Sequence, residues 1–136
     1  MKYLIPILLI VFLGITAGLM AYHKPHQSVA KLKPDFVTSA DVLFEEFTSQ
    51  EQRANEKYLD KVVMVKGEVK QISKGEGDRI NVTLEAGDEM FGVSCTFEKS
   101  QETTLNLNEG DVINVKGFCA GMLMDVVLIN CVTVNS

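Results

Sequence analysis

Three cysteines and two histidines are the side chains of this sequence best suited to metal binding or nucleophilic chemistry. Cys95, Cys119 and Cys131 lie in the C-terminal half, and none stands in the CxxC or Cys/His spacing that zinc sites use. His23 and His26 are three residues apart in a proline-containing stretch without a nearby cysteine or carboxylate pair, so we assign them no role. The sequence therefore predicts no metal site and no cofactor.

The same residues argue against catalysis. A nucleophilic cysteine needs an activating neighbour, and the two histidines are far from all three cysteines along the chain. Asp88 and Glu89 are adjacent carboxylates, but they follow Gly87 in a stretch typical of a hairpin turn, where acidic residues are common. We expect a protein that is not an enzyme.

The N-terminal segment has the composition of a membrane anchor. Residues 3–22 carry no charged side chain, and a helix of that length covers roughly 30 Å, the thickness of a bilayer's hydrocarbon core. We predict an uncleaved transmembrane helix within residues 1–22. A cleaved signal peptide is the alternative, with Thr16-Ala17-Gly18 as a weak small-x-small site.

The flanking charges leave the orientation open. Lys24, Lys31 and Lys33 follow the span and favour a cytoplasmic domain, whereas the signal-like layout and the short N-terminal flank favour export. We expect a single-pass protein of the inner membrane whose soluble domain lies outside the cytoplasm. Residues 23–37, which are polar and contain two prolines, are predicted to form a juxtamembrane linker.

Two short helices are predicted next. Thr38 and Asp41 have the T-x-x-D spacing of a helix start. The apolar side chains that follow are spaced for one buried helix face, and a second capping pattern at residues 49–52 predicts another helix ending near Tyr58. The apolar stripe consists of Ala40, Leu43, Phe44 and Phe47.

From Val63 onward the apolar residues alternate as in strands buried on one face. Gly67 occupies an inward position of the first strand, where a glycine marks a bulge or a tight bend. The inward residues are Val63, Val65, Gly67 and Val69; Ile80, Val82 and Leu84; Phe91, Val93, Cys95 and Phe97; Ile113, Val115, Gly117 and Cys119; and a nearly continuous apolar run follows over residues 125–134.

Five strands, a bent first strand and an interruption between the third and fourth fit the OB-fold, a five-stranded Greek-key barrel. We therefore predict a mainly β domain over residues 38–136, with its barrel at about residues 61–135 behind the two helices. From about residue 38 to residue 133 the sequence also resembles the tRNA anticodon-binding-like (tRNA_anti-like) family of small, mostly uncharacterised bacterial proteins that are often anchored or exported. The matching segments are residues 54–58 with 63–67, 93–97, 110–112, 115–117 and 125–131.

The family name implies nucleic-acid binding only by analogy, because function depends on the site and not on the fold. The formal net charge is -5, and without Lys2, the single charge of residues 1–22, the remainder carries 12 basic against 18 acidic groups, or -6. An acidic domain repels phosphate backbones. The candidate ligand face is a basic strip formed by Lys66, Lys70, Lys74, Arg79 and Lys116. Acidic residues interleave with it, which favours a mixed, solvated sheet face as the alternative interpretation.

The expected fold brings two cysteines together. Cys95 and Cys131 fall on the third and fifth strands, which are neighbours in an OB barrel, and both share the inward register. We predict that they face one another, as a disulfide in an oxidising compartment and otherwise as packed thiols, with Cys119 as a free thiol.

A structural joint is predicted where the second helix meets the barrel, formed by Ala54, Asn55, Tyr58 and Gly67. The function we predict is a non-catalytic, membrane-tethered OB-fold module that binds a protein, peptide or glycan outside the cytoplasm. Binding of single-stranded nucleic acid is the alternative. It ranks second because such binding usually needs exposed aromatic side chains and a cationic groove.

Overall fold

The computed structural model describes residues 3–22, 28–98 and 106–134. The helices are α1 (Leu4–Tyr22), α2 (Ala40–Ser49) and α3 (Glu51–Tyr58), with short 3-10 turns at Val29–Lys31 and Glu76–Asp78. The strands are β1 (Phe36–Ser39), β2 (Val62–Lys74), β3 (Ile80–Glu85), β4 (Gly92–Phe97), β5 (Val112–Met122) and β6 (Val126–Val134). His23 and His26 lie outside the described residues.

Helix α1 is apolar, and its side chains from Leu4 to Leu19 are exposed. Within the described part of the chain, no helix is both long and apolar enough to cross a membrane, so the transmembrane span predicted at residues 3–22 is not supported.

Five strands close into a barrel in the order β2-β3-β4-β6-β5, and β5 pairs back with β2. The first half of β2 pairs with β5 and its second half pairs with β3, so one long strand serves two sides of the barrel. Strands β4 and β6 are parallel, and the other barrel pairs are antiparallel. This is the strand order of an OB barrel, so the fold predicted from the sequence is confirmed.

The bend in β2 does not fall where the sequence predicted a bulge. Pairing with β5 continues through Gly67, and the register shift against β3 lies between Val69 and Gln71. Gly67 is needed for a different reason. A Cβ at this position would lie 3.0 Å from Cβ of Ala40 and 3.1 Å from Cβ of Leu84, so its missing side chain lets α2 and β3 approach β2 closely.

Helices α2 and α3 cover the barrel and complete its core. Leu43 and Phe47 of α2 and Ala54 and Tyr58 of α3 are buried, which confirms the predicted apolar stripe. The Tyr58 ring packs edge-on against Phe36 with a centroid distance of 5.0 Å. The helix start is one residue later than predicted: Ser39 is the N-cap residue, and Thr38 belongs to strand β1.

The sequence analysis did not predict strand β1, which lies in and just after the predicted linker and pairs in parallel with β2. Asp35 fixes its start, since its backbone N–H donates to the Val62 carbonyl at 2.7 Å and its carboxylate accepts from the Val62 N–H at 3.0 Å. Before it, Val29 is buried against Val62 and Val132. The described part of the linker therefore packs on the barrel.

Candidate ligand-binding face

The outer surface of β3 and β4, extended by the end of β2, forms a polar face. Cross-strand pairing places Ser73, Asn81 and Thr96 in one row, and Gln71, Thr83 and Ser94 in the next. On β3 and β4 the alternate residues, such as Val82 and Cys95, are in the core, so strand alternation turns Asn81, Thr83, Ser94 and Thr96 outward, and cross-strand pairing places Gln71 and Ser73 of β2 beside them. We define the polar face by Gln71, Ser73, Asn81, Thr83, Ser94 and Thr96.

The polar face consists of short, uncharged hydrogen-bonding groups. The Thr96 hydroxyl donates to Oδ1 of Asn81 at 3.0 Å, which fixes one pair of side chains across the two strands. Gln71 and Ser73 are exposed, and the other four are half-buried. The outward positions of β3 and β4 carry no aromatic ring, because Phe97 is buried in the core and Phe91 packs against it.

The basic strip predicted from the sequence does not form one continuous surface. Lys70 donates to the carbonyl oxygens of Asp88 at 2.8 Å and Glu89 at 2.9 Å, and its Nζ lies 3.9 Å from Oε2 of Glu85. Arg79 pairs with Glu98, with 3.3 Å between Nε and Oε1. These two cations sit at the border of the polar face beside acidic partners. Lys66 and Lys74 are exposed.

Lys116 is buried and serves the fold. Its Nζ donates to the carbonyl oxygens of Leu32 at 2.8 Å and Ala30 at 3.2 Å, and the residue is 8% exposed. Its assignment to a ligand face is therefore wrong. A strand-alternation pattern cannot reveal such a contact, because the two carbonyl acceptors are more than 80 residues away in the sequence.

Cys95 and Cys131 are neighbours in the core, as the barrel order predicts. Of the two predicted states of this pair, the structure has the packed thiols and not the disulfide: Cys95, Cys119 and Cys131 are free and buried. Burial raises the pKa of the Cys131 thiol well above its ordinary value, and its contact with Cys95 raises it further. Burial also raises the pKa of Cys119. A raised pKa favours the protonated thiol at Cys119 and Cys131, whereas a catalytic cysteine needs a lowered pKa.

The residues of the predicted joint occupy structural positions. Ala54 and Tyr58 are buried between α3 and the barrel, and Asn55 is half-buried beside Gly121 of β5. Burial raises the pKa of the Tyr58 hydroxyl. Over the described residues, no group of three or more histidine, cysteine or acidic side chains is placed to hold a metal ion.

Sequence reasoning did not select the polar face. Strand alternation had already turned Ser94 and Thr96 outward, but a pattern of Ser and Thr is also ordinary for a solvated strand. The signal that could have found it is the barrel order, because OB-folds bind ligands on their second and third strands, here β3 and β4.

The closed five-stranded barrel, with its strand order, defines an OB-fold protein. The chain belongs to the tRNA_anti-like family, whose sequence model matches residues 1–133. None of the functionally curated proteins matches it. Among solved structures it is similar to a protein from Klebsiella pneumoniae subsp. pneumoniae that is provisionally described as a nucleic acid-binding lipoprotein. The TM-score is 0.60 at 20% sequence identity, and the match covers 83% of this chain and 100% of the other. At this identity, the likeness shows the fold.

Proposed function

We propose that this protein is a non-catalytic binding module, held at a membrane outside the cytoplasm, whose polar face takes a neutral chain such as a peptide, a protein segment or a glycan. The observation that carries the proposal is the makeup of that face. Six short, uncharged hydrogen-bonding side chains span three strands at the position where OB-folds bind. Such groups suit the amides of a peptide or the hydroxyls of a sugar.

Electrostatics supports a neutral ligand over a nucleic acid. Lys70 and Arg79 border the polar face, and each lies beside a carboxylate of the same domain, Glu85 and Glu98 respectively. A polyanion would have to displace these contacts on a domain whose charge is already negative. Base stacking would also need aromatic side chains, and the outward positions of β3 and β4 hold none.

Binding of single-stranded nucleic acid is the second candidate. What favours it is the family name together with the description of the Klebsiella protein, which has the same fold. It predicts an affinity for oligonucleotides that falls steeply with salt, because bound lysines and arginines release counterions from the phosphates.

Membrane attachment is proposed through α1, whose apolar side chains are exposed along the helix. Flotation of the full chain with phosphatidylcholine vesicles tests attachment. Digestion of intact spheroplasts with added protease tests the side on which the domain lies. Cleavage of the domain supports export, and protection would contradict it.

An NMR titration of the amide groups of the polar face tests the ligand class. We expect neutral oligosaccharide or peptide probes to shift the amide signals of Asn81, Thr83, Ser94 and Thr96, and an oligothymidylate probe to leave them unchanged. Thr83→Arg should remove the response by blocking the centre of the face, and Val112→Arg, at an exposed site on β5, is the matched control. Salt-sensitive binding of the oligonucleotide would overturn the proposal in favour of the second candidate.

A further inference from the structure

One end of the barrel carries exposed apolar side chains that the polar face does not include. Leu123 is 91% exposed, Met90 is 77% exposed and Met124 is 68% exposed. They lie in two loops, between β3 and β4 and between β5 and β6. We call these three residues the apolar tip.

Strand pairing places the two loops at the same end of the barrel. Strands β4 and β6 are parallel, with Val93 opposite Val126, and Met90 and Leu123 each precede this pair by three residues. A hydrogen bond joins the loops, since the Gly92 N–H donates to Oδ1 of Asp125 at 2.8 Å. The three apolar side chains therefore form one surface.

Both loops are held in place by their own hydrogen bonds. Oδ1 of Asp88 accepts from the N–H groups of Met90 at 2.8 Å and Phe91 at 2.9 Å, which lowers the pKa of this carboxyl. Lys70 binds the carbonyls of Asp88 and Glu89 from the other side. In the second loop, the Leu123 N–H donates to the Asp125 carbonyl at 3.2 Å. Apolar side chains held in water by ordered loops mark an interaction site.

The shape and charge of the apolar tip favour a lipid surface as its occupant. The side chains project from two loops and are largely exposed, so they suit a fluid interface into which they can insert. The carboxylates of Asp88 and Asp125 are turned back onto backbone N–H groups, whereas Glu89 beside Met90 is exposed and would have to stay at the water side of the interface. The two loops, residues 86–91 and 123–125, contain no lysine or arginine, so insertion of the tip does not depend on anionic lipid.

Chain length limits the distance between α1 and the domain. Helix α1 ends at Tyr22 and the description resumes at Ser28, a connection that spans roughly 20 Å at most when fully extended. Val29 then packs against Val62, which pairs with Phe118, only four residues before the end of β5 at Met122. Ala30 and Leu32 bind Lys116, so the chain enters the domain beside the middle of β5, four to six residues from the strand end that carries the tip.

We propose that the apolar tip inserts into the interfacial region of the membrane to which α1 attaches the chain. This inference rests on the proposed attachment. Strands β3 and β4 extend from the tip towards the opposite end of the barrel. Insertion of the tip would therefore hold the polar face upright on the membrane, with its length exposed to a partner.

Tryptophan fluorescence provides the test, since the chain contains no tryptophan. The reporters are Leu123→Trp and Met90→Trp in the tip, and the matched control is Val112→Trp. Val112 is also apolar and exposed, at 62%, and lies at the other end of β5, about 30 Å from Met122 along the strand. Each full-length variant is added to phosphatidylcholine vesicles with or without bromine on the acyl chains.

With vesicles, we expect both tip reporters to shift to shorter wavelength and to be quenched by the brominated lipid, at a depth of about 5–10 Å. The control should show neither change. Adding Leu123→Ser and Met124→Ser to the Met90→Trp variant should reduce its quenching to the control level, which excludes insertion driven by tryptophan alone.

Flotation of the same samples separates the two proposals. If the chain floats with the vesicles and the tip reporters are no more quenched than the control, the tip inference is overturned and attachment through α1 stands. If the chain does not float, attachment is wrong and the inference falls with it.

Discussion

Lys116 provides the sharpest test of whether a cation of this domain serves the fold or a ligand. Its ammonium group links β5 to the segment before β1 through hydrogen bonds to the carbonyls of Ala30 and Leu32. We predict that Lys116→Met releases the segment around residues 28–33 from the barrel and leaves ligand affinity unchanged.

The magnitude follows from two opposing effects. Each hydrogen bond to a charged donor contributes about 1.5–3 kcal/mol. Methionine keeps the apolar stem and removes the cost of burying the ammonium, and the freed carbonyls can bind water once the segment lifts. The expected net loss is about 1–2 kcal/mol in the stability of the segment, or a factor of roughly 5–30 in its opening equilibrium.

Trypsin provides the assay, because Lys31 is an exposed cleavage site within the segment. Cleavage after Lys31, followed by mass spectrometry, should be roughly 5–30 times faster in Lys116→Met when opening is rapid relative to cleavage. Lys66→Met is the matched control, since Lys66 lies on the adjacent strand and is exposed. It should leave this cleavage rate unchanged.

One combination of results would refute the reasoning. If Lys116→Met left cleavage after Lys31 unchanged and weakened binding to a ligand, Lys116 would have to be reassigned to the ligand face. Urea unfolding of the same variant checks that any loss is local, since the midpoint of the barrel's transition should move little.

Three further predictions concern the core. Gly67→Val should lower the free energy of unfolding by about 1–3 kcal/mol, because its side chain would press on Ala40 and Leu84. Phe47→Ala should cost about 3–5 kcal/mol, since it empties the fully buried contact between α2 and the barrel. The folded state keeps the proton of Cys131 above pH 9.0, the ordinary thiol value, whereas the unfolded chain loses it. Stability should therefore be unaffected below that pH and should fall as the pH rises above it.

Urea unfolding measures all three effects. Val42→Ala, at an exposed position of α2, is the control for Phe47→Ala. Comparison with Cys131→Ala shows how much of the stability lost at high pH is due to the Cys131 thiol. An unchanged stability of Gly67→Val with a lost binding activity would turn Gly67 into a site residue. An equal alkaline loss in wild type and Cys131→Ala would show that other groups cause it.

Much of the fold is readable from the sequence because its signals are local. Strand alternation fixes which side chains of β3 and β4 face inward, and the helical spacing of Leu43 and Phe47 fixes the buried face of α2. Strand β1 was not predicted because its four residues, close to a proline, are too few to show strand alternation. Its pairing with β2 depends on Asp35 and Val62, which are far apart in sequence.

The candidate site was less predictable because strand pairing, and not a regular spacing along the sequence, brings its residues together. The basic strip was inferred from charge along the chain, but three of its five cations have partners that only the folded barrel brings near. The polar face requires the register between β2, β3 and β4, which a single sequence does not encode in any local pattern.

The sequence by itself determined the barrel, the helical cover over it and the meeting of Cys95 with Cys131, since periodicity and strand order follow from the chain's own pattern of apolar residues. Only the tertiary structure decided that these cysteines are free thiols, that Lys116 holds the linker, and that Met90 and Leu123 share one exposed surface. These outcomes depend on which distant groups come within contact distance, and packing in three dimensions sets those distances.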